Sequence, residues 1–219
     1  MGGISSGAIL DQLNRGSRTA LELAEALRVS RPTVSRALAP LLRDNSVFAI
    51  GAARATRYAR VRARWPVYRI DAQGAVHDVG TLRALAAGQY HMDRVYDGLP
   101  YFLQDQRPAG FLGRNVPLRH PELQLPQRVA DWNDGHYLRY LSEQGWDTLG
   151  DLIVGEAALN RFLANTVTPV AASRRLRIYA ELADAAMAGG LPGSSAHGEH
   201  PKFAVAIAQR GGENLTRQC

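Results

Sequence analysis

Cysteine and lysine are almost missing from these 219 residues: Cys219 is the one cysteine, and Lys202 is the one lysine among 26 basic side chains. A single cysteine excludes an internal disulfide, so nothing in the chain calls for an oxidising compartment. No apolar run approaches the roughly 20 residues that span a bilayer. The start, Met1-Gly2-Gly3-Ile4-Ser5, lacks the basic and then apolar stretches of a secretory leader, and the expected location is the cytoplasm. There is no internal repeat and no low-complexity tract. What remains, 46% hydrophobic and 21% charged, is the composition of a folded chain long enough for one sizeable core or two small ones.

The positive charge is unevenly placed. Eleven arginines between Met1 and Arg64 face only Asp11, Glu22, Glu25 and Asp44, a net +7, so against a total of +6 the remainder carries −1. A basic segment joined to a nearly neutral body suits a polyanion, and double-stranded DNA is the expected partner.

Local patterning gives that segment a shape. Ser5 to Leu13 reads as a helix, with Ile9 and Leu13 four apart. Thr19-Ala20-Leu21-Glu22 is a capping box opening a helix that buries Leu23, Ala24 and Leu27. Arg28-Val29-Ser30 makes a turn, Ser30 caps a third helix, and Pro32 is tolerated in its first turn. Val34, Leu38 and Leu41 form the inward stripe, leaving Arg31, Thr33, Ser35 and Arg36 outward. Val47–Ile50 and Arg57–Arg60 read as strands around residues 51–56, a hairpin wing carrying Arg54 and Arg57. Together these make a winged helix-turn-helix over 1–64. Arg31 or Arg36 would read guanine edges, and Thr33, Ser35, Arg54 and Arg57 would position the domain on phosphates. A three-helix domain used for protein contacts is the competing reading.

Beyond Arg64, Val67–Ile70 and residues 75–79 read as two strands around a tight turn, and Thr81 to Ala87 as a short helix. Trp132 to Gln144 and Leu149 to Phe162 read as helical, and Trp132, Trp146, Tyr101 and Phe102 as core. His91, His197, His200 and Asp184 lack the paired spacing of a structural metal site, so no metal and no catalytic group is assigned. The aspartates 131, 134, 147 and 151 read as helix caps or decoration. The run from Pro192 to Val205, rich in small residues and holding Lys202, reads as an anion-cradling loop entering a strand; a solvated surface loop is the alternative.

Three segments in this order, Leu-Pro-Tyr-Phe-Leu-Gln-Asp-Gln-Arg-Pro-Ala-Gly-Phe-Leu-Gly-Arg (Leu99 to Arg114), Gly-Trp-Asp-Thr-Leu-Gly-Asp-Leu (Gly145 to Leu152) and Ser-Ala-His-Gly-Glu-His-Pro-Lys-Phe (Ser195 to Phe203), resemble the N-terminal part of HipA-family serine/threonine kinases, in the branch carrying an N-terminal winged helix. The resemblance implies an α+β chain: a winged helix-turn-helix over 1–64, a HipA-like N-terminal subdomain over 65–185, and the glycine-rich loop and first strand of a kinase domain over 186–219. It further implies Ser195, Gly198 and Lys202 as nucleotide-loop residues, with Ser195 the autophosphorylation candidate, and ATP and Mg as cofactors of the full-length family, none being held by this chain. Ala204 to Cys219 contains no aspartate for metal or base duty, so the kinase lobe is expected to be missing and independent activity absent. Two functions stay open: a DNA-binding regulator, or a kinase-toxin fragment active only when another chain supplies the catalytic lobe. A second copy of the chain and an antitoxin are the other expected partners, with no membrane role.

Overall fold

In the computed structural model the described residues are 4–148, 150–165, 170–188, 205–207 and 216–218. Ser195, Gly198 and Lys202 lie outside them. The chain divides into two compact units, one made of Met1–Trp65 and Gly80–Pro100, the other of Pro66–Val79 and Tyr101–Cys219.

In the first unit three helices surround one apolar cluster. Helix α1 (Ser6–Leu13) starts where Ser5 Oγ accepts the Ala8 N–H and buries Ile9 and Leu13. A two-residue strand β1 (Arg18–Thr19) leads into α2 (Ala20–Leu27). The capping box there is complete: Thr19 Oγ1 accepts from the Glu22 N–H at 3.2 Å, and the Thr19 N–H donates to Glu22 Oε2 at 2.6 Å. These bonds satisfy donors that a helix start leaves orphaned. The bond from the Thr19 N–H holds the Glu22 carboxyl below the usual carboxylate range, with the Arg57 charge adding to the effect.

Arg28 ends α2 in the left-handed region (φ 54°), and Ser30 caps α3 (Arg31–Arg43). Leu23, Ala24, Val34, Leu38 and Leu41 are buried together with Ile9 and Leu13, and Leu27 packs half-buried against them. Strand β2 (Val47–Ile50) then pairs antiparallel with β3 (Arg57–Ile70), Val47 opposite Arg60 and Ile50 opposite Arg57, while β1 pairs with β3 through Arg18 and Tyr58. The sequence pattern predicts two strands, 57–60 and 67–70; one 14-residue strand runs through both.

Of the expected helix from Thr81 to Ala87, residues 81–85 are instead the end of strand β4 (Val76–Leu85) and the rest falls in a short 3-10 turn (Ala86–Gly88), followed by β5 (Gln89–His91) and β6 (Val95–Asp97). Leu82 and Leu85, three apart and both buried, imitate a helical stripe. Pairing to β3 on one side and β5 on the other settles the matter, because ladder bonds outweigh a weak local preference.

The second unit holds the turn between β3 and β4. Asp71 Oδ1 accepts the N–H groups of Gln73 and Ala75, an Asx-type turn closed by Gly74 at φ 83°. Helices α4 (Tyr101–Gln104), α5 (Gly110–Arg119) and α6 (Asp134–Gln144) follow, the last capped by Asn133. A helix over Leu149 to Phe162 is corrected in its first half. Leu152–Val154 forms strand β7 on β3, and only Glu156–Ala164 is helix, α7. Gly150 and Gly155, at φ 99° and 89°, bracket three aliphatic residues and stop a helix from running through them. Trp132 is buried as expected, but Tyr101 is 65% exposed, because α4 turns Leu103 inward. Helix α8 (Arg175–Met187) and the antiparallel pair β8 (Val205–Ile207) and β9 (Thr216–Gln218) complete the described elements. Among the described residues no helix is long and apolar enough to cross a membrane.

Candidate nucleic-acid interface

Helix α3 separates its two faces cleanly. Val34, Leu38 and Leu41 are held in the core, which fixes the helix about its axis, while Arg31, Ser35 and Arg36 stand exposed on the other side. The N-terminal end of α3 carries the positive end of the helix dipole, and Arg31 adds a full charge there, a setting that favours anions. Thr33 is half-buried. Its hydroxyl lies 2.9 Å from Ser30 Oγ, which also accepts the Thr33 N–H at 3.4 Å, so Thr33 serves the cap first. Arg36 folds along its own helix, Nε donating to the Pro32 carbonyl at 3.4 Å, which leaves the remainder of its guanidinium free to point outward.

In the hairpin, Arg54 sits exposed in a short turn of 3-10 helix between β2 and β3. Arg57 has another occupation. Its guanidinium donates to Ser17 Oγ at 3.1 Å and to the Ser17 carbonyl at 2.6 Å, and it lies 3.4 Å from Glu22 Oε2. Sequence reasoning groups Arg57 with Arg54; the geometry leaves Arg54 exposed in the turn and ties Arg57, the first residue of β3, to Ser17 and Glu22 at the start of α2.

Residues that sequence reasoning passes over also gather in this unit. Arg60 and Arg62 both reach Asn14, and the Arg83 guanidinium lies 4.4 Å from the Phe48 ring centroid, a cation–π contact. Phe48 meets His91 at 4.6 Å between ring centroids. Burial, with the Arg83 charge, pushes the His91 imidazolium to a lower pKa, and Asp93 opposes the shift. The signal for the arginines is present in their alternation along β3; nothing local announces Phe48 and His91 as partners.

The second unit has a cleft of about 370 Å³ lined by Asp71, Trp146, Thr148, Asp151 and Phe162, among others. Two of its carboxylates are engaged: Asp151 pairs with Arg69 at 2.9 Å and Asp71 with His77 at 2.8 Å. Deeper in this unit the Tyr137 hydroxyl donates to the Leu103 carbonyl at 2.6 Å, and burial drives its pKa upward, so it holds structure rather than moving a proton. Among the described residues no group of three or more His, Cys, Asp or Glu is arranged to hold a metal.

These features define a helix-turn-helix protein with a second α/β unit. Residues 8–45, from α1 to the end of α3, match the bacterial regulatory protein family of the arsR type. Residues 61–163 match the family described as YjjJ-like toxin, middle domain. The chain is similar to the protein named Toxin YjjJ of Escherichia coli (strain K12), 35% identical over 209 residues that cover 89% of this chain and 46% of that protein. It therefore spans about half the length of this relative. No solved structure matches the chain. The resemblance to HipA-family kinases is corrected by these matches: Leu99 to Arg114 and Gly145 to Leu152 fall within the residues that match the YjjJ-like toxin, middle domain.

Proposed function

We propose that the chain is a DNA-binding regulator within a toxin of the YjjJ kind, acting on duplex DNA through a winged helix-turn-helix. The observation that carries the reading is the division of α3, whose apolar stripe is locked in the core while Arg31, Ser35 and Arg36 stand clear of it. The arsR-type match over the same helices and the net +7 of residues 1–64 support it. In this reading α3 enters the major groove, Arg31 and Arg36 meet guanine edges, Ser35 and the exposed tip residue Arg54 meet phosphates, and Arg57 keeps the hairpin seated on α2. Two copies on a two-fold operator would place their α3 helices one helical turn apart. The toxin role follows the name of the Escherichia coli relative, and the middle domain is the surface offered to an antitoxin.

The test is titration of a labelled fragment from the gene's own upstream region and of an unrelated duplex, across a salt series. Preference for the upstream fragment, with affinity falling steeply as salt rises, is the expected result. Equal and weak binding to both would remove the regulator reading.

A further inference from the structure

Two guanidinium groups converge on one neutral oxygen. Arg60 Nη1 and Arg62 Nη2 each lie 2.8 Å from Asn14 Oδ1, so the two nitrogens are no more than 5.6 Å apart. Arg60, Arg62 and Arg64 occupy alternate positions of β3 and so share one face of the strand. None of the three forms an ion pair with a described carboxylate, and Arg62 and Arg64 are exposed. An amide oxygen orders the pair without neutralising it. Three positive charges at this spacing repel one another until an anion arrives.

We propose that the Arg60–Arg62–Arg64 face of β3 is a second phosphate-binding surface, a strip that continues the DNA backbone contacts away from the hairpin tip. From Arg60 to Arg64 the strand advances about 13 Å, long enough to reach more than one phosphate of a DNA strand. Guanidinium groups suit phosphate oxygens, with forked donors and weak hydration. The argument for nucleic acid over an acidic protein is continuity. The strip lies on the strand that forms the hairpin, whose turn carries Arg54, in a segment with a large positive excess. Asn14, the residue that ends α1, acts as the pre-ordering group.

This inference rests on the DNA-binding reading, and the variants separate the two. The full chain is compared with Arg62→Gln/Arg64→Gln, with Arg62→Lys/Arg64→Lys, with Arg64→Gln alone, which removes no bond to Asn14, and with Arg31→Ala/Arg36→Ala. Each is titrated against specific and unrelated duplex over a salt series, with a hydroxyl-radical footprint. The slope of log affinity against log salt is expected to shrink by about 0.9 for each phosphate that is no longer neutralised. The double glutamine variant should lose nearly two such steps, the single about one, and the lysine variant little. Binding to both duplexes should weaken alike, by tenfold or more for the double variant, with sequence preference kept and the footprint shortened at one flank. Unchanged slope and footprint in both glutamine variants would overturn the proposal while leaving the reading of α3 intact, and would free the strip for an acidic protein segment. A chain that binds no duplex at all, with wild-type Arg31 and Arg36 in place, would overturn both.

Discussion

Arg57 clasps Ser17 across forty residues of sequence, with Nε on the Ser17 hydroxyl at 3.1 Å and Nη2 on the Ser17 carbonyl at 2.6 Å. The same guanidinium faces Glu22, whose carboxylate completes the capping box of α2. One side chain thereby fixes the turn end of the hairpin to the start of a helix, so the position of Arg54 relative to α3 depends on an interaction that touches neither.

Arg57→Ala is expected to destabilise the chain modestly. The two bonds to Ser17, both exposed, contribute about 1 kcal/mol each, and the ion pair with Glu22, whose partners are 44% and 42% exposed, adds little. Thr19→Ala should cost about as much, roughly 0.5 to 2 kcal/mol, by emptying the cap. Urea unfolding of both variants checks this; a loss above about 4 kcal/mol would show that Arg57 carries more than the clasp.

Gly155 joins β7 to α7 at φ 89°, and a Cβ there would meet Ser142 Cβ at 3.1 Å and the Ser142 carbonyl oxygen at 3.2 Å. Gly155→Ala should therefore destabilise by about 1 to 3 kcal/mol through backbone strain and crowding. A thermal midpoint equal to that of the parent would contradict this description of the β7 to α7 junction.

His91 gives the fold a dependence on acid. Its folded-state pKa lies below the ordinary histidine value, chiefly because the ring is desolvated and next because Arg83 is near. The unfolded chain therefore takes up the proton first as pH falls. Stability from this residue is intact above the ordinary histidine pKa, declines as pH drops below it, and levels off once the folded state is also protonated. His91→Phe, which keeps a ring against Phe48, should flatten the fall in thermal midpoint between about pH 7 and 5. The same fall in both proteins would place its origin elsewhere.

The helices of the first unit are legible because each is announced locally. Ser5, Thr19 and Ser30 are caps whose bonds close within three residues, and Val34, Leu38 and Leu41 repeat at helical spacing. The sheet is not, since its ladders join residues far apart. Two residues, Arg18 and Thr19, become a strand only because Tyr58 and Arg57 lie beside them, and Leu82 and Leu85 mimic a helix until β3 and β5 flank them. The same distinction runs through the candidate interface. Exposure of Arg31, Ser35 and Arg36 follows from the period of α3, whereas the engagement of Arg57 with Ser17 and of Arg60 with Asn14 joins residues 40 and 46 positions apart.

The most direct measurement is binding of the whole chain and of its Arg31→Ala/Arg36→Ala variant to the upstream fragment at fixed salt, beside an unrelated duplex. Each bidentate guanine contact contributes about 1 to 3 kcal/mol of discrimination, so the variant should lose at least tenfold in affinity for the upstream fragment while its binding to unrelated duplex changes far less. A variant that keeps the full preference would contradict α3 as the reading helix.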